Sequence, residues 1–458
     1  MLRSSLLPLL LLLAPTSAAR AIELHVDSTV GSDHTGDGSR ARPFASLHRA
    51  QRAVRAELRQ ISQSGEHAEA ESSDITVSVG PGVHALNEPL RFDSRDSGRA
   101  GRRVVWRGHG GESTRILGGP MVGDWEHAWG NVYRSKLGRR VYALAEGGRQ
   151  ANPARHPNTN PGSGSGWFDG SVNGGGFTWA DGALPPNVST FGLANTSMVM
   201  TAGHNYYWSE TWAIASYNMT ARSAVFRSDP SKTASAMAAG PHCYLIGSVG
   251  LIDEPGEFAL DAAGEWLYYW PRSGLPIETL EIVAPISQRP VSIVGESFVD
   301  GKVVTGLTFT GLSFIGSDGA DSWYLFDQKK SNSVPAEMRQ GLFFLENASN
   351  IEISNCVIRS AANTAIWLNH ASQGVVIRGN WLEDIGYCGV YMYGFWPGDP
   401  DSYLKGAATT AMDTYVNSEQ LLLRHKHRQL QLRFRTHRLI LCHGVGERLQ
   451  GITRSTQI

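Results

Sequence analysis

Six carboxylates, Glu346, Glu352, Glu383, Asp384, Asp399 and Asp401, fall in or beside the most regular stretch of this 458-residue sequence. Hydrolysis of a glycosidic bond needs two such groups flanking it, about 5 to 5.5 Å apart for retention and about 6.5 to 9.5 Å for inversion. Aromatic residues lie among them, and the C–H faces of a sugar pack on aromatic rings while its hydroxyls need amide and carboxylate partners. Read at a fixed offset of 24, Phe343, Trp367 and Tyr391 form one outward column and Leu345, Asn369 and Tyr393 the next. Trp367, Asn369, Tyr391 and Tyr393 are therefore the candidate glycan-binding residues; the plainer reading is that an inserted domain packs on this ladder and hides it. Asp384, Asp399 and Asp401 are the catalytic candidates, with no acid or base role assigned. Asp384 lies in a corner before Gly386, where a short acceptor satisfies turn amides. Asp399 and Asp401 sit in a Pro-flanked loop after Gly394 that can reach over the aromatic face, and Glu352 reads as a solvated group on another strand. A lyase would instead use a base such as His370 with a cation to neutralise a uronate, although a lone histidine at a turn is more often only locally bonded. No His/Asp/Glu cluster has metal-ligand spacing and no Gly-rich phosphate loop leads from a strand into a helix, so neither a metal nor a cofactor is expected.

The elements that must position these residues are legible as a repeat. Ile351–Ile358 aligns without a gap onto Val375–Leu382, an offset of 24, and Leu307–Phe314 matches from one longer turn upstream. Apolar residues alternate with a period of two between short Gly/Asn/Ser corners, so each repeat is two or three short strands. About 24 residues is one coil of a parallel β-helix. Alternation places Ile351, Ile353, Cys356 and Ile358 inside the coil, over Val375, Ile377, Asn380 and Leu382. Asn380 suits an amide ladder, and Cys356 and Cys388 read as buried free thiols.

Such a solenoid needs caps. Ile22–Val26 reads as a strand, and Ser46 as the N-cap of a helix with Leu47, Ala50, Val54 and Leu58 on one face. Coil-like pieces follow from Ile75 to Phe92 and from Val104 to Leu117. Composition agrees: Gly is abundant at 51 residues, charged residues are 18%, and the net charge of −1 argues against nucleic acid as a partner. Arg3, the apolar run Leu6–Ala14 and the small residues at 16–19 read as a secretory signal, too short to span a bilayer of about 30 Å. The expected localisation is secreted or extracellular, without a membrane span. Asn187, Asn195, Asn218 and Asn347 head N-glycosylation sequons, meaningful in a eukaryotic source.

Four segments carry a resemblance: Val26 to Gly38 followed by Pro43-Phe44; Ala154 to Asn158; Pro255 to Phe258 with Asp261 and Gly264–Pro271; and Gly379-Asn380 to Val390. Their order resembles that of glycoside hydrolase family 141, in the pectate-lyase-like superfamily, over about residues 22 to 417. The resemblance implies a right-handed parallel β-helix interrupted by an inserted β-rich domain, acting on plant or algal cell-wall glycans. Fold alone does not carry function.

From Ser418 the chain changes character: eight Lys and Arg stand against two Asp and Glu, whereas residues 1–417 carry 33 against 40. A basic tail of this kind is usually a solvated segment; the preferred expectation is a frameshift or misassigned exon after about Asn417, with later coils missing. The expected organisation is a signal peptide (1–19), a cap with the first coils (22–119), an inserted β-rich domain (120–285), further coils (286–417) and a basic non-repeat tail (418–458). The expected fold class is all-β, a right-handed parallel β-helix of about 24 residues per coil with an N-terminal helix cap and an inserted β-rich domain. The expected partner is a polysaccharide or other glycan. A glycoside hydrolase is the first functional reading, with a lyase of the same fold or a non-catalytic glycan-binding adhesion protein as alternatives; oligomeric state is left open.

Overall fold

The structure, a computed structural model, describes residues 21–63, 73–158, 170–173, 175–202, 208–227, 242–297, 300–320, 323–324, 339–369, 371–392, 422–425 and 428–431. The chain is mostly β, and three of its sheets are built by repeated winding. The first sheet lays Ile22–Val26, Ile75–Val79, Val104–Arg107, Leu307–Thr310, Glu352–Ser354 and Val376–Arg378 side by side, all parallel. In the second, Gly82–Ala85, Thr114–Leu117, Ser313–Ser317, Val357–Ala361 and Trp381–Ile385 are likewise parallel. The third holds Leu90–Phe92, Val291–Val294, Gly341–Glu346, Thr364–Leu368 and Cys388–Met392. Each winding visits the first, second and third sheets in turn and then steps up by one strand.

Side chains from all three sheets meet in one continuous core. Phe92, Trp106, Phe309, Phe343 and Phe314 interlock edge to face there, with centroids 4.7 to 5.5 Å apart. Such pairs add about 0.5–1.5 kcal/mol each beyond area burial. Helix α1 (Leu47–Gln63) packs on the first two strands of the first sheet and buries Leu47, Ala50, Val54, Leu58 and Ile61 in the same core. Its N-cap is Ser46, whose Oγ accepts from the Arg49 amide at 3.1 Å and donates to Asp33 at 2.5 Å.

Corners repeat because the same backbone twist recurs in each winding. Gly306, Asn350 and Gly374 share one left-handed corner, Gly311, Asn355 and Gly379 a second, and Gly316, Ser360 and Asp384 a third, all at positive φ. Glycine adopts this region without strain and Asn or Asp tolerates it, which is why those residue types punctuate the repeat. Asn380 makes no amide ladder: its Oδ1 accepts from Cys356 N at 2.9 Å and its Nδ2 donates to Ile353 O at 2.7 Å, so it ties its winding to the one before. Cys356 and Cys388 are free and buried, as expected.

The uniform 24-residue offset fails in the third sheet. Gly341 lies beside Thr364, Phe343 beside Ile366 and Phe344 beside Trp367, an offset of 23. The offset of 24 returns at Ala348 beside Ser372, because the corner after Leu368 is one residue longer than that after Leu345. A one-residue slip reverses every side chain. Phe343 and Leu345 therefore point into the core, both at 0% exposure, and the outward column is Phe344, Trp367 and Tyr391.

Two excursions leave the same corner, between second and third sheets. One runs from Leu117 to Val291, and its strands between Glu126 and Val283 pair with one another in antiparallel and mixed sheets. The other runs from Ser317 to Gly341, and its Trp323–Tyr324 pair joins the edge of the first excursion's strand Trp208–Asn218. The first excursion docks on the second sheet: Leu117, Ala145, Val283 and Ile315 share a small core, Arg115 pairs with Glu281 at 2.8 Å, and Ser360 Oγ donates to Gly148 O at 2.9 Å. The basic tail also contributes here, with Leu422–His425 parallel to Trp381–Leu382 and then turning antiparallel into Arg428–Gln431. That pairing follows Trp381 by 41 residues, outside the 24-residue period.

Candidate functional site

The outward column of the third sheet is a stack. Trp367 and Tyr391 lie ring on ring at 4.4 Å and 27°, and the Arg289 guanidinium covers Phe344 at 3.8 Å from the ring centroid. Parallel strands pair at a spacing close to that of stacked rings, so aromatic residues in one column face each other by default. Exposure decides what this column does: Trp367 is 1% exposed and Tyr391 8%. Their faces are spent on each other, so the column is packed structure and not an open sugar platform.

Its open chemistry lies at the strand ends, where the one-residue slip brings Glu346 beside Asn369. Asn369, fully buried, donates from Nδ2 to Glu346 Oε2 at 2.8 Å and accepts at Oδ1 from the Trp367 indole N–H at 3.2 Å. The indole thus fixes the amide, and the amide fixes the carboxylate. Glu346 is half-buried and its second oxygen has no hydrogen-bond partner among the described residues. Arg289, whose pKa is lowered chiefly by burial, lies near enough for Glu346 to counter that shift. A carboxylate with one oxygen held and the other open is the arrangement that general acid–base or nucleophilic work requires. Glu346 stood among the sequence carboxylates without being selected, because the uniform offset set it beside His370 instead of Asn369. Arg289 had no sequence signal, lying before the third-sheet strand Val291–Val294.

The other candidates separate. Asp384 satisfies no amide of its own corner: from its left-handed position it accepts the Gln150 amide of the first excursion, and so clamps a hairpin. Glu352 is not merely solvated; Arg378 pairs with it at 2.7 Å, and although desolvation by burial raises its pKa, the hydrogen bonds of Arg378 and Ser354 with the charges of Arg378 and Arg103 together lower it. Tyr393, Asp399, Asp401 and His370 lie outside the described residues. Of the sequon asparagines, Asn187 and Asn218 are exposed. Asn195 accepts from Arg140 Nη1 at 2.6 Å and donates to Asp261 O, while Asn347, at positive φ, donates to Gly295 O at 3.2 Å. No group of His, Cys, Asp and Glu among the described residues could hold a metal ion, and no helix among them is long and apolar enough to cross a membrane.

Glu257 has the appearance of a tuned acid, since burial pushes its carboxyl up to about 7. Its contacts assign it to structure. Oε1 accepts from Arg155 N at 2.9 Å, and Oε2 from Asp253 N and Glu254 N at 2.9 and 3.1 Å, so both oxygens organise backbone. The folded pKa lies above the ordinary 4.5, so as pH rises from 4.5 to about 7 the unfolded chain releases its proton first and this group's contribution to stability falls. Urea denaturation across that window should show a wild-type stability loss that is absent in Glu257→Gln; parallel profiles would contradict the assignment.

No family model matches the chain, and no curated protein matches it. Among solved structures, the fold is similar to that of one described as "Glycoside hydrolase", with a TM-score of 0.64 at 19% identity, over 81% of this chain and 67% of that one. A structure described as "The complex structure of XylC with xylose" superposes with a TM-score of 0.37 at 13% identity, over 81% of this chain and 51% of that one. The first superposition shows a shared fold: the chain has a β-rich architecture similar to that of this structure.

Proposed function

We propose that the protein is a secreted glycoside hydrolase acting on cell-wall polysaccharide, built as a right-handed parallel β-helix with an inserted β-rich domain over residues 120–285, as in glycoside hydrolase family 141. The observation that carries the reading is the hydrogen-bonded series Trp367–Asn369–Glu346, which presents one carboxylate oxygen at the rim of the third sheet. Support comes from the fold shared with a structure described as a glycoside hydrolase. Glu346 supplies one of the two carboxyl groups the reaction needs, and Asp399 or Asp401 supplies the other. Asn369 and Trp367 act as positioning residues.

The test is incubation of the full chain with a panel of plant and algal wall polysaccharides, following reducing ends, ultraviolet absorbance of unsaturated product and retention on the insoluble glycan. Reducing ends without ultraviolet absorbance are expected. Unsaturated product dependent on calcium would make the protein a lyase, and retention with no released ends would make it a binding protein; either result removes the hydrolase reading.

A further inference from the structure

On the first excursion, Phe191, Tyr217 and Met219 are each more than a third exposed. Phe191 stacks on the half-buried Trp129, with centroids 4.8 Å apart and planes at 27°. The hydroxyl end of Tyr217 rests on Gly192, the next residue after Phe191, where a Cβ would have no room. The two exposed rings therefore border one surface, and grouped apolar side chains mark a place that something covers. Two sequon asparagines stand at its edges. Asn187 O accepts from Phe191 N at 3.0 Å, so the two residues lie one turn apart on the same side. Asn218 follows Tyr217 directly; its Oδ1 accepts from Ala221 N at 2.8 Å, which holds the side chain in its turn and leaves Nδ2 without a partner among the described residues. Asn187 caps nothing with its side chain, and both asparagines are exposed. The other two sequons are closed. Asn195 Nδ2 donates to Asp261 O, and Asn347, 9% exposed, donates from Nδ2 to Gly295 O at 3.2 Å.

We propose that Asn187 and Asn218, and neither Asn195 nor Asn347, carry N-linked glycans, and that the first N-acetylglucosamine of each lays its C–H face on Phe191 and Tyr217. The cover is thus the protein's own modification, bulky and solubilising, placed where the excursion exposes its rings. In the step itself, Nδ2 forms a bond to C1 of the sugar, the C1–O bond to the diphosphate of a lipid-linked oligosaccharide donor breaks, and the amide gives up one proton as the lipid diphosphate leaves. A sugar on Asn347 would meet the backbone of Gly295, and one on Asn195 would crowd the bond to Asp261 O, so the fold itself selects between sequons of equal form. The proposal rests on the secretion reading above and is independent of Glu346 and of hydrolysis.

Expression of the full chain in a eukaryotic secretory host, with glycopeptide mass spectrometry of the secreted protein, tests it. Glycan is expected on Asn187 and Asn218, with Asn195 and Asn347 unmodified. Asn187→Gln combined with Asn218→Gln should lower Tm by about 2–4 °C and raise the binding of a hydrophobic dye, whereas trimming each glycan to its first N-acetylglucosamine should change neither. Tyr217→Ser takes away the surface that the Asn218 sugar covers, so in that background Asn218→Gln should no longer lower Tm. Glycan on Asn195 or Asn347, its absence from Asn187 or Asn218, equal dye binding with and without glycans, or an Asn218→Gln effect that survives Tyr217→Ser would each overturn the proposal. A chain that stays in the cytosol, open to added protease in permeabilised cells, would remove the secretion reading and this proposal with it; a secreted chain without glycan would remove this proposal alone.

Discussion

Glu346→Gln is expected to lower the release of reducing ends about 10²- to 10⁴-fold, the range a positioned acid or base contributes, while leaving thermal stability unchanged. The amide replaces the carboxylate without changing its shape, and its oxygen can still accept from Asn369 Nδ2, now at 2.8 Å from Glu346 Oε2. What is lost is the charge and the proton affinity of the oxygen that faces outward. Asn369→Leu should act differently. It frees the Glu346 side chain to rotate and strips the Trp367 indole N–H of the partner it holds at 3.2 Å, so a partial loss of activity accompanies a loss of stability of about 1–3 kcal/mol. Reducing-end assays with thermal melts on both variants distinguish the roles. Activity of Glu346→Gln within threefold of wild type would move the catalytic carboxylates elsewhere.

The largest stability effect is expected at Asn380. This side chain is 1% exposed and serves two backbone groups of the preceding winding, Cys356 N and Ile353 O. Asn380→Leu keeps the volume and removes both partners, leaving a donor and an acceptor buried without water. At about 1–3 kcal/mol for each orphaned group, the expected loss is about 2–6 kcal/mol, read as a shift of the first urea transition. A loss below about 0.5 kcal/mol would mean that the winding is held without this clamp.

Much of this architecture is legible in the sequence because its rules are local. Alternation in strands, the helix face beginning at Leu47 and the Gly or Asn corners all follow from backbone geometry acting over a few residues. Ile353 over Ile377 and Ile358 over Leu382 are consequently found where the repeat puts them. The site was less legible because a single extra residue at Asn369–Ser372 lies in a corner, where length is unconstrained, and reverses the faces of the third-sheet strand before it. Phe343 and Leu345 thereby moved inside and Glu346 gained Asn369 as its neighbour. Asp384 shows the other limit: its partner, the Gln150 amide, is 234 residues away, and no local rule reaches that far.

The two excursions have a consequence in time. Leu90–Phe92 of the third sheet takes its partner from Val291–Val294, so the strand must wait for about 200 further residues to be made. At about 5–20 residues per second, that is roughly 10 to 40 s during which the first and second sheets can pair behind the ribosome and the third cannot. Leu90 and Phe92, both 2% exposed in the finished protein, are then open to solvent as a bare strand edge. The same interruption that places the first excursion between the second and third sheets therefore makes the assembly of the windings dependent on whatever shields a nascent chain.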